Sequence, residues 1–333
     1  MSPPTATAPV DDDDIDDGNV SEQQHPHHYP PHQLAVDHPP PLIKSMAQLI
    51  IFHGLIPLIL PILAPAAIAY KVLTDHSFRI TFPPASYKLY SLVNSATTSP
   101  ISKAWYYQHP SLLNQLWKLA SARAYIDTST GMPLVEYQMQ EGYCGSATQR
   151  CILRSFGLSN TILPPQQRGE SKPIPWCTHI TQIANESSNG TMSLSTQIIE
   201  GNVSYDEFVS KLRNGLANPN VRIACNFLRS VLMGFEKIRY LPINLMFSLM
   251  GGHFSPIIGM IDQPQPEDDS TTNTTIPEEV GDDYPLVAIF DTNHKYNGVY
   301  FVPAKRLYEA VNTVDLFNNS HRAIILVENN ETR

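Results

Sequence analysis

The alternation of apolar and polar positions divides the chain into a polar N-terminal part, one uncharged apolar segment and a long mixed part. In the mixed part, short apolar runs bounded by glycine, proline and polar residues are typical of buried strands. These runs predict strands over 221–227, 256–261, 286–290, 299–302 and 323–327. Apolar residues at helical spacing predict helices over 112–124 and from Gly145 to about Gly157.

The first 70 residues predict a tail followed by a membrane-directed segment. Residues 1–45 hold an acidic run and a histidine- and proline-rich tract, and we expect disorder because so little of this tail can fill a core. Within 46–70, Leu49–Tyr70 has no charged residue over 22 positions, which is long enough to cross a bilayer. We interpret 46–70 as a membrane anchor, or as a signal segment if translation starts at Met46. Three prolines disfavour the alternative of a buried core helix.

The pattern over residues 78–330 predicts one folded domain with two insertions. The first insertion, 234–249, is partly apolar. The second, 263–283, is polar, acidic and contains prolines, and it predicts a loop.

Glycosylation motifs favour a lumenal position for this domain. The chain has 20 asparagines and seven Asn-X-Ser/Thr sites, six of them after the apolar segment, where chance predicts about three in all. The excess indicates a secretory or vacuolar membrane with the domain in the lumen. Lysines flank the apolar segment on both sides (Lys44 and Lys71), so the charge rule does not exclude the cytoplasmic face.

Charge and cysteine content narrow the class of protein. The net charge of −9 argues against nucleic acid as a partner. Four cysteines are too few for a disulfide scaffold in 333 residues. A bridge between two of them, such as Cys177 and Cys225, stays open, as does a homodimer.

Three residues combine into a candidate for nucleophilic catalysis. Cys144 precedes Gly145, where a helical pattern begins, and a helix N-terminus beside an imidazole lowers the pKa of a thiol. His253 follows two glycines that let the backbone approach a site closely, and Asp291 ends an apolar run. A nucleophile needs a base, and the base needs an acceptor that fixes its tautomer, so the three together predict a catalytic triad.

Each of these residues also has a structural interpretation when it is taken alone. Cys144 would then be a buried structural cysteine, His253 a satisfied core residue and Asp291 a loop cap. Cys151 lies two turns further along the same helix, and we expect its side chain to pack in the core. Gln138, six residues before Cys144, is placed to donate its amide to an oxyanion beside the Cys144 backbone N–H.

At these residues the chain resembles the phytochelatin synthases, a papain-like family of cysteine transpeptidases. The resemblance covers residues 78–328 and is strong after Gln138. The matching segments follow the family's order: Gln138, Tyr143-Cys144-Gly145, Asn226-Phe227-Leu228-Arg229, Gly252-His253-Phe254-Ser255-Pro256, Asp291, Lys295-Tyr296, Val302-Pro303, Asn312-Thr313-Val314-Asp315 and Arg322. It implies an α+β papain-like fold, with the nucleophile on a helix N-terminus packed against an antiparallel sheet.

The resemblance also implies a reaction and its substrates. Cys144 would attack glutathione, release glycine and pass γ-Glu-Cys to a second glutathione or to a phytochelatin peptide, which is the chemistry of heavy-metal detoxification. Asp315 and Arg322 match the positions that bind the glutamyl end, and Arg229 is expected in the same pocket. Cadmium or zinc would enter as glutathione thiolate complexes, with no fixed cofactor and no metal site in the protein.

Departures from the family keep other functions open. The family usually has an arginine three residues after the catalytic aspartate, where this chain has His294. One alternative is a peptidase that releases γ-Glu-Cys from glutathione or its S-conjugates. An alternative of another class is a catalytically silent metal-thiolate sensor.

Overall fold

The structure, a computed structural model, describes residues 66, 69, 70, 73, 74, 110–169, 172–233, 252–263, 284–294, 298–315 and 320–330. The predicted tail 1–45, the insertion 234–249 and residues 264–283 of the acidic insertion lie outside these residues, as does nearly all of segment 46–70. Among the described residues, no helix has the length and apolar character needed to span a membrane.

The described residues form an α+β domain. Its helices are α1 (Pro110–Lys118), α2 (Ala120–Arg123), α3 (Cys144–Ser155), α4 (Pro173–Ser187), α5 (Tyr205–Ala217), α6 (Arg229–Met233) and α7 (Ala304–Val311). Its strands are β1 (Leu194–Glu200), β2 (Val221–Leu228), β3 (Gly252–Ile261), β4 (Leu286–Phe290), β5 (Val299–Pro303), β6 (Val314–Asp315), β7 (Ser320–His321) and β8 (Ala323–Asn329).

Six strands form an open sheet in the order β1-β8-β2-β3-β4-β5, with every neighbouring pair antiparallel. The α+β class expected from the sequence is therefore confirmed. The five predicted strands are present, and β3 begins four residues earlier than predicted, at Gly252. The predicted helix over 112–124 is divided into α1 and α2 at Leu119, whose backbone is extended.

The sheet is buried on both faces, which explains why its central strands are apolar without alternation. On one face, α5 and α7 pack on odd-numbered residues of β2 such as Ile223 and Phe227. On the other face, α3 and α4 pack on Ala224 and Phe254, while α1 packs on β3 and β4.

Trp176 of α4 joins the nucleophile helix to the sheet. Its ring is fully buried and stacks on Phe254 of β3, with centroids 5.5 Å apart. Its Nε1 donates a hydrogen bond of 3.0 Å to the carbonyl oxygen of Gly145, in the first turn of α3. Trp176 therefore fixes the position of the α3 N-terminus relative to β3.

We predict that Trp176→Phe lowers the free energy of unfolding by about 1–3 kcal/mol, because the variant loses a buried hydrogen bond and leaves a cavity. Chemical denaturation measures this change. Ile174→Ala is the matched control on the same helix, because Ile174 is 70% exposed. It should change the free energy by about 0.5 kcal/mol or less, and equal effects of the two substitutions would contradict the role given to Trp176.

Candidate active site

Cys144 is the first residue of α3, as the sequence predicts. The side chain stays partly open to solvent. The first turn of α3 contains no acidic residue, and the N-cap residue Tyr143 makes no side-chain capping bond. The positive end of the helix is therefore available to stabilise a thiolate on Cys144.

His253 lies on β3 between the thiol and the carboxylate of Asp291. The residue is 4% exposed, and its Nε2 lies 2.8 Å from Asp291 Oδ1. The Cys144 thiol lies close enough to the imidazole for each group to shift the pKa of the other. Because Nε2 faces Asp291, Nδ1 is the ring nitrogen available to the sulfur. The structure thus brings together the three residues that the sequence singles out.

Asp291 directly follows β4 and is fully buried. Its Oδ1 accepts from the backbone N–H of Asn293 at 2.8 Å as well as from His253. Its Oδ2 accepts from the Tyr300 hydroxyl at 3.2 Å. Burial alone would raise the pKa of this carboxyl, but the charges of His253 and Arg229 and these hydrogen bonds hold the pKa below its usual value.

The surroundings of Cys144 and His253 shift the pKa values of both side chains. Burial would raise the pKa of Cys144, but the hydrogen bond and charge of His253, a bond from the Phe254 backbone and the charge of Arg229 bring it below the ordinary thiol value. For His253, burial and Arg229 lower the pKa, whereas the charge and hydrogen bond of Asp291 and the bond to Cys144 raise it above its ordinary value. A lowered thiol pKa and a raised imidazole pKa both favour a thiolate paired with an imidazolium.

The guanidinium of Arg229 contacts both His253 and Asp291. Its Nη2 is 2.7 Å from His253 Nε2 and 3.2 Å from Asp291 Oδ1. The family resemblance leads us to expect it in the pocket for the glutamyl end, and the geometry adds a direct electrostatic effect on the triad. It occupies this position because it follows β2 directly, and β2 pairs with β3 so that Phe227 lies opposite His253.

Gln138 is buried beside the residues that follow Asp291. Its backbone N–H donates to the Thr292 carbonyl at 2.6 Å. Its Nε2 donates to Glu141 Oε2 at 3.4 Å, and Glu141 Oε1 also accepts from Asn293 Nδ2 at 3.4 Å. In the described part of the chain, its Oε1 has no hydrogen-bond partner. The amide expected to serve an oxyanion is thus held in place by Glu141.

Arg322 is buried next to the start of β3, near His253. Its Nη1 donates to Asn226 Oδ1 at 3.1 Å. A Cβ placed on Gly252 would lie 2.3 Å from the same Nη1, so the close approach requires a glycine. Asp315, predicted to act with Arg322, pairs through its backbone with Ser320, and its side chain lies outside what the structure describes.

Tyr300 and Glu141 are site residues that the sequence analysis missed. Tyr300 lies on β5, opposite Ile289 of β4. The sequence gives one indication of its role, which is that it lies in the strand that follows Asp291. That indication becomes useful only when β5 is known to pair with β4. Glu141 lies between Gln138 and Cys144, where its charge had no assigned partner.

The remaining cysteines take no part in this site. All four cysteines are free thiols, so no bridge joins Cys177 to Cys225. Cys151 is fully buried, as predicted, and burial raises its pKa to about 12. Among the described residues, no group of three or more histidine, cysteine, aspartate or glutamate side chains is arranged to hold a metal ion.

No protein-family model matches the chain, and no curated protein matches it. The chemistry of the residues therefore carries the interpretation. A thiol on a helix N-terminus, an imidazole beside it and a buried carboxylate behind the imidazole form an arrangement suited to acyl transfer through a thioester.

We predict that Arg229→Gln moves the pH dependence of Cys144 alkylation by iodoacetamide to higher pH. Removing the guanidinium charge raises the pKa of the thiol, so less thiolate is present at a given acidic pH. The rate of alkylation, followed by mass spectrometry on the Cys144 peptide, measures the shift. Arg213→Gln is the control, because Arg213 pairs with Asp262 on the surface. An unchanged profile, or one moved to lower pH, would contradict the assignment.

Proposed function

We propose that this protein is a glutathione γ-glutamylcysteinyltransferase of the phytochelatin synthase type, with a papain-like fold. One observation carries the proposal: Cys144 begins a helix beside His253, whose Nε2 is 2.8 Å from Oδ1 of the buried Asp291. The packing of that helix on an antiparallel sheet, whose adjacent strands supply the base and its orienter, supports the papain-like fold.

The reaction begins with the thiolate of Cys144. It attacks the carbonyl carbon of the Cys–Gly peptide bond, and the oxyanion that forms is stabilised by the Cys144 backbone N–H and the Gln138 amide. The C–N bond then breaks, His253 gives its proton to the departing amine of glycine, and a γ-Glu-Cys thioester remains on Cys144. The amine of a second glutathione or of a phytochelatin peptide attacks the thioester and restores the thiol.

Recognition of the glutamyl end is assigned to the surroundings of Arg322. A guanidinium that already donates to Asn226 keeps further N–H groups in a planar fork, which suits a carboxylate. Its place beside Gly252 puts this fork one residue from the catalytic base. Asp315 is assigned to the α-amino group.

Heavy-metal ions belong to the substrate in this proposal. Cadmium or zinc bound between two glutathione thiolates would present glutathione with its own sulfur already blocked, so Cys144 is the nucleophile that remains. The protein needs no resident metal for either acyl-transfer step.

Hydrolysis is the second candidate, and His294 is the observation that favours it. His294 is exposed three residues after Asp291, where the family usually places an arginine linked to the acceptor. If the acceptor peptide binds more weakly, water attacks the thioester in its place, and γ-Glu-Cys is then the product.

We predict that Cys144→Ser reduces glycine release from glutathione by several orders of magnitude, because the hydroxyl is a far weaker nucleophile than the thiolate. Glycine is measured after incubation with glutathione and cadmium. Cys151→Ser, which changes a buried thiol outside the site, is the matched control and should retain activity. Glycine release by Cys144→Ser at the wild-type rate would remove the mechanism.

Mass analysis of the same wild-type reaction separates transfer from hydrolysis. Products with two or more γ-Glu-Cys units are expected from transfer. γ-Glu-Cys as the sole product would overturn the transferase and leave the hydrolase.

We predict that Arg322→Lys raises the KM for glutathione about 10-fold or more, because a planar fork is replaced by a point charge. Gly252→Ala should also raise KM, since its methyl group displaces Arg322 Nη1. Gly259→Ala, on the same strand, is the matched control: its Cβ would lie 2.4 Å from Leu116 Cδ1 in the core. It should lower the free energy of unfolding and leave KM unchanged; a rise in KM equal to that of Gly252→Ala would contradict the assignment.

A further inference from the structure

Four asparagines that begin Asn-X-Ser/Thr motifs are among the described residues, and all four are exposed: Asn185, Asn189, Asn202 and Asn330. The other asparagines of the described chain include buried members, such as Asn226 and Asn293. An N-linked glycan is bulky and needs a surface position. The motif and its exposure therefore coincide at all four positions.

Three of these asparagines lie at the two ends of strand β1. Asn189 lies in the turn before the strand, with a left-handed φ of 52°. Asn330 meets the same end, because its backbone N–H donates to the Ser193 carbonyl at 2.9 Å and its Oδ1 accepts from Ser195 Oγ at 3.2 Å. Asn202 lies two residues beyond the other end of β1.

Strand β1 is an edge of the six-stranded sheet, with β8 as its one partner strand among the described residues. It runs for seven residues without lysine or proline, and its one charged residue is Glu200 at its end. Its register with β8 has no shift that would mark a bulge. Such features normally keep an edge strand from pairing with another chain, and β1 lacks them.

We propose that Asn189, Asn202 and Asn330 are N-glycosylated and that their glycans keep β1 from pairing with a second copy of this chain. The donor is an oligosaccharide carried on a lipid diphosphate. The amide Nδ2 forms a bond to the anomeric carbon and loses one proton. The bond from that carbon to the diphosphate oxygen breaks, and the lipid diphosphate leaves with the electron pair.

Site occupancy is tested on the full chain, expressed in eukaryotic cells with its own N-terminal segment. Peptide N-glycosidase in ¹⁸O water converts each glycosylated asparagine to labelled aspartate. Cleavage after glutamate separates Asn189 from Asn202, because Glu186 and Glu200 flank the first, and trypsin releases Asn330 after Arg322.

Label is expected on all three residues and not on Asn220, an exposed asparagine outside any such motif. Recovery of the three peptides without label, while a secreted glycoprotein of the same cells is labelled, would overturn the proposal.

Shielding of β1 is tested with a triple variant, Asn189→Gly with Asn202→Gln and Thr332→Ala. Glycine keeps the left-handed turn, and the last change removes the motif while keeping Asn330. Light scattering after size exclusion should show concentration-dependent larger species for this variant. Folded wild-type protein treated with the glycosidase should behave in the same way. This sample tests the shielding role even if the triple variant does not fold.

Glycine release should be unchanged in both samples, because none of the three asparagines belongs to the candidate site. The Asn220→Gln control should match untreated wild type. Triple-variant and deglycosylated samples of wild-type size at every concentration would overturn the shielding role.

Discussion

The buried charge of Asp291 is the constraint on which the arrangement of the site depends. A carboxylate with no solvent exposure is costly unless nearby groups compensate it. Here the compensation comes from the His253 ring at 2.8 Å, the Arg229 guanidinium at 3.2 Å, the Asn293 backbone at 2.8 Å and the Tyr300 hydroxyl at 3.2 Å. These groups belong to different strands or strand ends, so the charge can be buried once the sheet has formed.

The sheet explains how distant parts of the sequence reach one carboxylate. Strands β2 to β5 are antiparallel neighbours. The C-terminal end of β2, the N-terminal end of β3 and the C-terminal end of β4 therefore lie side by side at one end of the strands. Thr292 extends this contact, because its hydroxyl donates to the Phe254 carbonyl at 3.2 Å. Trp176 then holds the N-terminus of α3 at that end of the strands, so that Cys144 faces His253.

The sequence could predict those elements whose pattern is local. The continuous apolar runs of β2, β4 and β8 identified buried strands, and the glycine after Cys144 marked a helix start. The edge strand β1 was missed because it reads Leu-Ser-Thr-Gln-Ile-Ile-Glu, with mixed burial and few consecutive apolar residues. The roles of Tyr300, Glu141 and Arg229 depend on which strands pair and in which register, and no local pattern contains that information.

Arg229 and Asp291 have different effects on the thiol–imidazole pair. Asp291 raises the pKa of His253 and is not among the groups that lower the pKa of Cys144, so its effect falls on the imidazole. Arg229 lowers the pKa of both groups, so it favours the thiolate on Cys144 and opposes the positive charge on His253. A lower pKa also makes the imidazolium a stronger acid toward the departing amine. The carboxylate therefore favours a protonated imidazole, whereas the guanidinium favours the thiolate and adjusts how readily His253 gives its proton away.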